Sequence, residues 1–346
     1  MKTLPAETVR IADIDVDDLT FSVGDPNPDD RLKESVRRAG IIHPPVVLKN
    51  GSGSGKYIVV SGHRRVRAAV AAEAEEIAVA VFEGPPSEAV LVAATEHSFS
   101  RELCVADMAK LVKRATEAGM SVNDVTREML PVLGLKQSRR LYDGFAYVAG
   151  FCDLPGADAV SLSAVPYLMK LGEDASRAAL ELFALLRPGT NYQKEILSLA
   201  EEIALREGIP AAEVLSDQIR DLPTDEVPRA RRIERVRDAL FRRRNPTVFA
   251  YEEEFRKAVG ETGTGSIMSW RHDDGFETPR LTAEMSFDCR EELEDVVKGF
   301  EEALKDGSID RLLDVCRCEV KIPEDSSDKV RGVRAQEDNN AGDHVS

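Results

Sequence analysis

Residues 57–69 constrain the fold of this chain more than any other stretch. They begin with the apolar, β-branched run from Tyr57 to Val60, which is typical of a buried strand. Gly62 then allows a tight turn that a side chain would obstruct, and the Ala- and Arg-rich sequence after it favours a helix. A strand, a glycine turn and a helix start together predict an anion site, to which Arg64 and Arg65 add bidentate oxyanion donors. Taken alone, such a turn is also compatible with a surface helix that carries solvated arginines.

The composition limits the classes of protein to which the chain can belong. A length of 346 residues predicts two to three domains, and 42% hydrophobic with 31% charged residues indicates a globular chain that can bury a core. The net charge of −16 argues against a protein that coats nucleic acid indiscriminately, although it is compatible with a local basic patch.

The cysteines and the apolar runs indicate a cytoplasmic environment. No cysteine belongs to a C-x-x-C pair, so neither a zinc site nor a disulfide framework is predicted. No apolar run approaches the roughly 18 residues that span a bilayer. The first residues lack the apolar core of a signal peptide, and we therefore expect a reducing cytoplasm. The five cysteines are Cys104, Cys152, Cys289, Cys316 and Cys318.

The segments around the glycine turn predict a small mixed domain. Their alternation, caps and turn residues indicate strands, helices and loops in a fixed order. The predicted elements are an edge strand over 9–19, a turn with a helix cap over 24–30, a helix over 32–39 ended by Gly40, a loop into a strand over 41–48, a flexible hairpin tip over 51–55, a strand over 77–82 and a helix over 87–99.

In this order the segments resemble the N-terminal domain of the ParB family, also called the ParB/sulfiredoxin fold. The matching pieces are residues 32–44, 57–60 and 62–69. In that family a Gly-Glu-Arg-Arg segment holds the triphosphate of CTP. Gly62, Arg64 and Arg65 match that segment, and His63 stands where the family has Glu.

A second segment resembles the family's Glu-Asn-x-x-Arg box, which holds Mg²⁺ and the nucleotide. Glu96 and Arg101 match, but His97 stands at the Asn position and the Arg comes one residue later. A helix-end carboxylate paired with a nearby Arg is the alternative. The resemblance implies CTP and Mg²⁺ as cofactors, with Glu96 as the metal ligand. The implied nucleotide-binding residues are Gly62, His63, Arg64, Arg65, Glu96, His97 and Arg101.

Two departures from the family limit the expected chemistry. The segment 21–26 lacks the Gln and Arg of the family's Pro-x-Gln-Pro-Arg motif, so we expect a CTPase activity that is weak at most. Sulfiredoxins need a catalytic Cys in a Gly-Cys-His-Arg motif, whereas the first cysteine here is Cys104. Because the thiolate is the nucleophile in that chemistry, we exclude sulfiredoxin activity.

The middle of the chain predicts a helix-turn-helix. A helix over 106–118 ends at Gly119, and Ser121 with Asp124 forms a capping box for the next helix. Gly134 then predicts a turn before a helix over 136–150. The polar and basic start of that last helix suits base edges and phosphates, with an ordinary helical hairpin as the alternative. Leu141, Phe145 and Val148 are expected to pack inward. The predicted DNA-binding residues are Lys136, Gln137, Ser138, Arg139 and Arg140.

The last third combines a basic segment with a small mixed unit. Eight Arg against Glu234 and Asp238 give the segment 229–244 a charge of 8 − 2 = +6, which suits nonspecific phosphate contact or a solvated basic helix. A helix over 251–259, strands over 267–271 and 281–287, and a helix over 291–304 follow. The alternation over 281–287 predicts a strand with one buried face. The last helix is predicted to be amphipathic, with its apolar stripe formed by Leu293, Val296, Val297, Phe300 and Leu304. So small a unit buries its apolar faces poorly, and it resembles the ParB C-terminal dimerisation domain. After about residue 320 the polar composition predicts disorder.

We therefore expect an α+β, multidomain protein with five segments. They are a nucleotide-binding domain (1–103), a helical DNA-binding domain (104–222), a basic linker (223–246), a dimerisation domain (247–316) and a disordered tail (317–346). By resemblance, the chain acts in chromosome or plasmid partition as a dimeric, CTP-dependent clamp on a centromere-like DNA site, in the cytoplasm on the nucleoid, with a ParA-type ATPase as a partner. A transcription regulator on the same scaffold is the first alternative, and a nucleotide-dependent nuclease or kinase is the second.

Overall fold

The computed structural model describes residues 4–49, 57–222, 227–264 and 268–321. The chain divides into two compact units, Met1–Arg237 and Asp238–Ser346. The hairpin tip predicted over 51–55 and most of the predicted tail, 322–346, lie outside the described residues. None of the described helices is long and apolar enough to cross a membrane.

The first unit begins with a five-stranded mixed sheet in the order β1-β5-β3-β4-β2. Strand β3 lies between an antiparallel neighbour, β4, and a parallel one, β5, while β1 and β2 form the two edges. The strands are β1 (Ala6–Arg10), β2 (Ile14–Asp15), β3 (Val46–Lys49), β4 (Tyr57–Ser61) and β5 (Glu76–Phe82).

The prediction of a single edge strand over 9–19 is wrong. The chain pairs with β5 as strand β1 up to Arg10. It then makes a 3₁₀ turn over Ile11–Asp13 and continues as β2, which pairs with β4 at the other edge of the sheet. The Ile11 amide donates to the Glu75 carbonyl at 2.9 Å, which holds the turn. Because both short pieces are edge strands, the alternation of apolar and polar residues fits either edge and does not reveal the crossing.

Three helices, α1 (Asp30–Ala39), α2 (His63–Ala71) and α3 (Pro86–Ser100), belong to the same domain as this sheet. Asp29 caps α1 and Gly40 ends it with a positive φ, as the sequence predicts. Aliphatic side chains of the sheet and of α1 and α2 form one buried cluster. Its members are Val9, Ile14, Val36, Val47, Val59, Val66, Ala68, Ala69, Ile77, Val79 and Val81.

The rest of the first unit is helical. Its large fully buried side chains include Leu111, Met129, Phe145 and Phe183, and each such side chain contributes roughly 1.5–3 kcal/mol of burial free energy. The helices are α4 (Val105–Glu117), α5 (Val122–Asp124), α6 (Leu130–Val132), α7 (Arg139–Val148), α8 (Val165–Leu171), α9 (Glu173–Leu186), α10 (Thr190–Glu207) and α11 (Ala211–Arg220). A π turn over Val125–Met129 joins α5 to α6. Helix α12 (Arg229–Arg244) crosses the boundary between the two units.

The second unit contains α13 (Pro246–Glu261), the hairpin of β6 (Met268–His272) and β7 (Leu281–Met285), then α14 (Arg290–Lys305) and α15 (Ser308–Cys316). Its core centres on Trp270, whose indole N–H donates to Thr264 Oγ1 at 2.9 Å and whose ring stacks on Phe300. Helix α15 was not predicted from the sequence. The fold class is confirmed, because the structure is mixed and mostly helical, with a small N-terminal sheet.

Two predictions about buried faces in the second unit are wrong. Strand β7 was expected to bury one face, but Ala283 and Met285 are exposed and Leu281 is only half-buried. On α14 the inward stripe runs through Val296, Phe300 and Ala303, towards the rest of the core. Two residues placed on that stripe by the sequence, Val297 and Leu304, are exposed because they lie one position away from it.

Candidate functional site

The turn between β4 and α2 requires glycine. Gly62 has φ 93° and ψ 24°, which is left-handed backbone that L side chains rarely adopt. A Cβ there would lie 2.8 Å from Pro45 Cβ and 3.0 Å from Arg65 Nε. The Arg65 guanidinium therefore folds back over the turn. The first amides of α2 lack intrahelical acceptors, as at every helix start, and this gives the turn an anion-binding character.

Arg64 extends from the same helix start towards the loop before α1. Its Nη2 donates to Asp29 Oδ2 at 2.8 Å, and its Nε donates to the Asn27 carbonyl at 3.2 Å. Asp29 also accepts from the Leu32 amide as the cap of α1. That amide, followed by the Arg64 guanidinium, lowers the pKa of Asp29. One carboxylate thus holds both the start of α1 and the side chain predicted to bind a triphosphate.

Arg65 is joined to the second predicted segment. Its Nη1 donates to the His43 carbonyl at 2.6 Å, and its Nη2 lies 3.5 Å from Glu96 Oε2. The Ser61 hydroxyl donates to the same Glu96 oxygen at 3.0 Å. The structure therefore brings the glycine-turn segment and the Glu96–Arg101 segment together, because Arg65 and Glu96 meet although they lie 31 residues apart in sequence. The alternative drawn from the sequence was a carboxylate paired with a nearby Arg, and the Arg that lies beside Glu96 is Arg65.

Arg101 has other partners. Its Nη1 donates to Asp107 Oδ2 at 2.8 Å, and its Nη2 donates to the Val23 carbonyl at 3.4 Å. Burial alone would raise the pKa of Asp107, but the bonds from Arg101 and Cys104 outweigh burial and lower it. Arg101 thus neutralises a buried carboxylate in the first turn of α4.

The two histidines of the predicted nucleotide set turn into the protein. His63 is 5% exposed, its ring is hydrogen-bonded to the Asp18 backbone, and its Nε2 has no hydrogen-bond partner among the described residues. Burial, followed by the charges of His97 and Arg67, lowers the pKa of His63 to about 4. Burial and then Arg101 lower the pKa of His97, whose Nε2 is also buried without a described partner. Both rings are therefore neutral at pH 7.

Cys104 is not suited to thiolate chemistry. It lies half-buried at the start of α4, and burial raises the pKa of its thiol. A raised pKa disfavours the nucleophilic thiolate.

Several residues of this site were not found from the sequence. Asn27 accepts from Arg67 Nη1 at 2.7 Å, Asp29 pairs with Arg64, and Ser61 holds Glu96. Asp29 lay in a segment predicted as a helix cap, and this was its only local signal. Its pairing with Arg64 joins residues 35 positions apart, which no local pattern encodes.

The metal-binding capacity of the site rests on one carboxylate. The described residues contain no group of three or more His, Cys, Asp or Glu side chains that could hold a metal ion. Mg²⁺ is commonly bound by one or two carboxylates together with phosphates and water. Glu96 therefore suits Mg²⁺ only in company with a phosphate ligand.

A cavity of about 330 Å³ lies in the same domain, but at the other end of α2. It is lined mainly by small and aliphatic side chains from the C-terminal ends of α1 and α2 and from β5, including Val36, Ile41 and Ile77. It includes none of the residues predicted to bind nucleotide.

The helix predicted to contact DNA starts later than expected. It was predicted over 136–150 but spans Arg139–Val148, because the Ser138 side chain accepts from the Leu141 amide and caps it. Lys136 and Gln137 therefore precede the helix, and both are exposed. Arg139 and Arg140 are exposed in its first turn.

The inward face of α7 also differs in one position. Phe145 and Val148 are buried as predicted, but Tyr142 is buried where Leu141 was expected. Arg139 Nε donates to Asp143 at 2.8 Å and its guanidinium lies over the Tyr142 ring. The basic start of α7 is thus held in place by its own helix and remains open to solvent.

Comparison with known proteins gives one family match. Residues 3–98 match the family model described as the ParB N-terminal domain. No curated protein matches the chain.

Several solved structures are similar to the chain at low identity. One is C-terminally truncated chromosome-partitioning protein ParB from Caulobacter crescentus complexed with CTP-gamma-S: 18% identity over 59% of this chain and 98% of that one, TM-score 0.24. The same protein complexed to the centromeric parS site gives 13% identity over 56% and 98%, TM-score 0.33. A Pnob8-like ParB-N domain gives 18% identity over 61% and 100%, TM-score 0.39.

Proposed function

Residues 3–98 match the ParB N-terminal domain, and from that premise we propose that the chain is a ParB-family DNA-binding partition protein that responds to CTP. The observation that carries the nucleotide assignment is the glycine turn at Gly62, where Arg64 and Arg65 begin a helix and Glu96 meets Arg65. A glycine turn at a helix start, with paired guanidinium groups, suits a triphosphate.

The nucleotide would compete with internal carboxylates. Asp29 occupies Arg64, and Glu96 lies at Arg65. The Arg64–Asp29 pair is exposed and contributes only about 0–1 kcal/mol, and a triphosphate with several charges can displace it as well as the partly buried Arg65–Glu96 pair, whose atoms lie 3.5 Å apart. Mg²⁺, when bound with the phosphates, would neutralise part of their charge, and Glu96 is the residue that would hold it. Because Asp29 caps α1 and Glu96 lies near the end of α3, the exchange would alter contacts of both helices.

DNA would be contacted through α7 and the residues before it. The exposed Lys136, Gln137, Arg139 and Arg140 support this proposal, because a polar and basic helix start suits base edges and phosphates. The exposed apolar residues of the second unit support a homodimer formed through that unit. A ParA-type ATPase would be the partner in partition. A transcription regulator would need no such partner, so stimulation of a co-purified Walker-type ATPase by this protein separates the two functions.

A titration of the full-length protein with CTP and with ATP tests the nucleotide proposal. Substitutions of the two partners of the Arg64–Asp29 ion pair should change CTP affinity in opposite directions. Arg64→Ala should reduce CTP affinity at least tenfold, because it removes a guanidinium donor. Asp29→Asn should raise CTP affinity by up to about fivefold, since it frees Arg64 while Asn still caps α1. Arg38→Ala and Asp30→Asn serve as matched controls, because both residues form ion pairs elsewhere on α1. Equal CTP affinity in the wild type and Arg64→Ala would contradict the proposal.

A further inference from the structure

Strand β5 has a neighbouring strand on both sides only over its C-terminal half. Its register with β1 covers residues 76–80, whereas its register with β3 begins at Ala80 and ends at Phe82. Residues 76–78 are therefore paired on one side alone, and we call them the open segment of β5. We propose that the open segment binds an extended basic peptide of a partner protein by adding it to the sheet. Such binding lies outside the nucleotide and DNA functions proposed above.

The hydrogen-bonding groups of the open segment point away from β1. At the end of the β1–β5 ladder, the Glu75 carbonyl accepts from the Ile11 amide at 2.9 Å. Bonded positions alternate along an antiparallel ladder, so the odd-numbered residues of β5 bond β1. The N–H and C=O groups of Glu76 and Ala78 consequently face the opposite side, where the described residues provide no backbone partner for them.

Two prolines prevent β3 from covering the open segment. The Ala80 amide donates to the Pro45 carbonyl at 2.9 Å, and this bond begins the parallel ladder between β3 and β5. One step further back, the ladder would need an N–H at position 45 for the Ala78 carbonyl, and proline has none. The preceding residue is Pro44, which also lacks an N–H. The sequence therefore leaves the groups of Ala78 available to another chain.

The cavity at the far end of α2 lies beside the open segment. Its volume of about 330 Å³ is bounded by residues 76–78 on one side and by the C-terminal ends of α1 and α2 on the other, including Ile41 and Ala72. Pockets that hold ligands have volumes of roughly 300–1,000 Å³. Because side chains alternate along a strand, a paired peptide directs every second side chain to the aliphatic side, where Ile77 lies. Aliphatic residues at alternate positions therefore suit the partner.

Uncompensated carboxylates give the open segment a negative environment. Three exposed glutamates lie just before β5 or at its start, and within the described ranges they form no ion pair. They are Glu73, Glu75 and Glu76. The arginine that lines the cavity, Arg37, binds Glu34 at 2.8 Å, and Arg10 on β1 binds Asp13 at 3.0 Å. The free carboxylates thus favour Lys or Arg at the other alternate positions of the partner and repel phosphates.

A fluorescently labelled peptide, acetyl-Lys-Val-Lys-Val-Lys-Val-Lys-amide, tests the inference by anisotropy with the full-length protein. We expect saturable binding at low salt. Ala78→Pro should lower the affinity about fivefold or more, because it removes one N–H of the open segment that the β1 ladder does not use. Thr8→Pro is the matched control. Thr8 lies opposite Ala78 at a position that is not hydrogen-bonded, so its N–H points outward from the other edge of the sheet.

A second probe makes the test independent of how the proline variants fold. The same peptide with N-methyl groups on its valine and inner lysine amides keeps its charge and side chains but cannot pair with a strand. It should show no saturable binding to the wild type. Equal affinity of the two peptides would overturn the inference, because charge alone would then explain the binding.

The charge of the partner is tested on the protein itself. Glu73→Gln with Glu75→Gln and Glu76→Gln should lower the affinity about three- to tenfold, since three exposed ion pairs are lost. The control removes three exposed glutamates elsewhere and should leave the affinity nearly unchanged. It is the variant Glu83→Gln, Glu128→Gln, Glu291→Gln. Equal losses in both variants, or equal binding of a peptide with Thr in place of Lys, would overturn the basic partner.

A second copy of the chain is the other candidate for the open segment. If no peptide binds and Ala78→Pro lowers the mass in sedimentation equilibrium, the segment pairs with a second copy and the inference is overturned. Unchanged peptide affinity in Ala78→Pro overturns it as well. None of these mixtures contains nucleotide or DNA, so a failure of the proposed function leaves the result of this test unaffected.

Discussion

At the scale of single residues, the carboxylates decide how the candidate site behaves. Arg64 and Arg65 match a phosphate-binding segment, yet each guanidinium already has a carboxylate neighbour, Asp29 and Glu96. The residue types at the glycine turn follow from the sequence. Their partners do not, because Asp29 and Arg64 meet only when the loop before α1 packs beside the start of α2.

The two histidines show the same limit. A sequence pattern places His63 beside the glycine turn, but only the packing determines whether its ring meets solvent. It is buried with an unpartnered Nε2, because the first residue of α2 can turn its side chain into the domain as readily as away from it. The resemblance implied that His63 helps to bind the nucleotide, whereas in the structure its ring is neutral and enclosed by the domain.

Burial of His63 predicts a loss of stability in mild acid. The unfolded chain binds this proton near pH 6.5, whereas the folded protein binds it only near pH 4. Between these values the unfolded state holds more protons, so stability falls as the pH is lowered from 6.5 towards 4. Over the whole range, this one group lowers the free energy of unfolding by about 3 kcal/mol. Urea unfolding across this range should therefore show a steeper pH dependence for the wild type than for His63→Asn.

The control for this measurement is His43→Asn, which removes an exposed imidazole from the same domain. The difference in slope between the wild type and His63→Asn is the informative quantity, since a simple loss of packing shifts stability equally at every pH. Parallel pH profiles for these two proteins would contradict the assignment of a buried, neutral ring.

At the scale of secondary structure, the sequence predicts elements with local caps, turns and periodicity better than elements that depend on packing. The strand over 57–61 and helices α1 to α4 are found within a few residues, because their periodicity and caps are local signals. Helices α8, α11 and α15 were not predicted. Helix α11 has no side-chain cap, and its stability depends on packing of Val214 and Leu215 against other helices, which the local sequence does not encode.

The β4–turn–α2 element makes a specific prediction about Gly62. Gly62→Ala should cost more stability than Gly119→Ala, although the two residues have nearly the same φ, 93° and 91°. A Cβ at Gly119 meets nothing within 4 Å, so that variant measures backbone strain alone, about 1–3 kcal/mol. At Gly62 the Cβ also meets Pro45 at 2.8 Å. Urea unfolding of both variants measures the difference, and equal losses would show that the turn relaxes freely.

At the scale of the whole molecule, the charge and the apolar surface are unevenly distributed. The chain carries −16, whereas α12 is strongly basic. The second unit leaves a group of apolar side chains exposed that a monomer would be expected to bury. They are Met285, Phe287, Val297 and Leu304. The small size of the unit predicted that some apolar side chains would stay exposed, but the sequence did not predict which residues these are.

We expect these exposed residues to form a homodimer interface. Met285→Glu with Phe287→Glu should convert a dimer to a monomer, because charged groups would be buried in an apolar contact. Sedimentation equilibrium of the full-length protein measures the mass directly. Glu284→Gln with Thr282→Ser, on the same strand, is the control. A wild type that is monomeric at micromolar concentration, or a variant that stays dimeric, would contradict the expectation.

Arg101 links three pieces of chain through one guanidinium. It follows α3, its Nη1 holds Asp107 in the first turn of α4, and its Nη2 reaches the Val23 carbonyl. Glu96 lies on α3 little more than one turn before it. We therefore expect a displacement of Glu96 to shift the first turn of α4, because Arg101 joins the C-terminal end of α3 to Asp107.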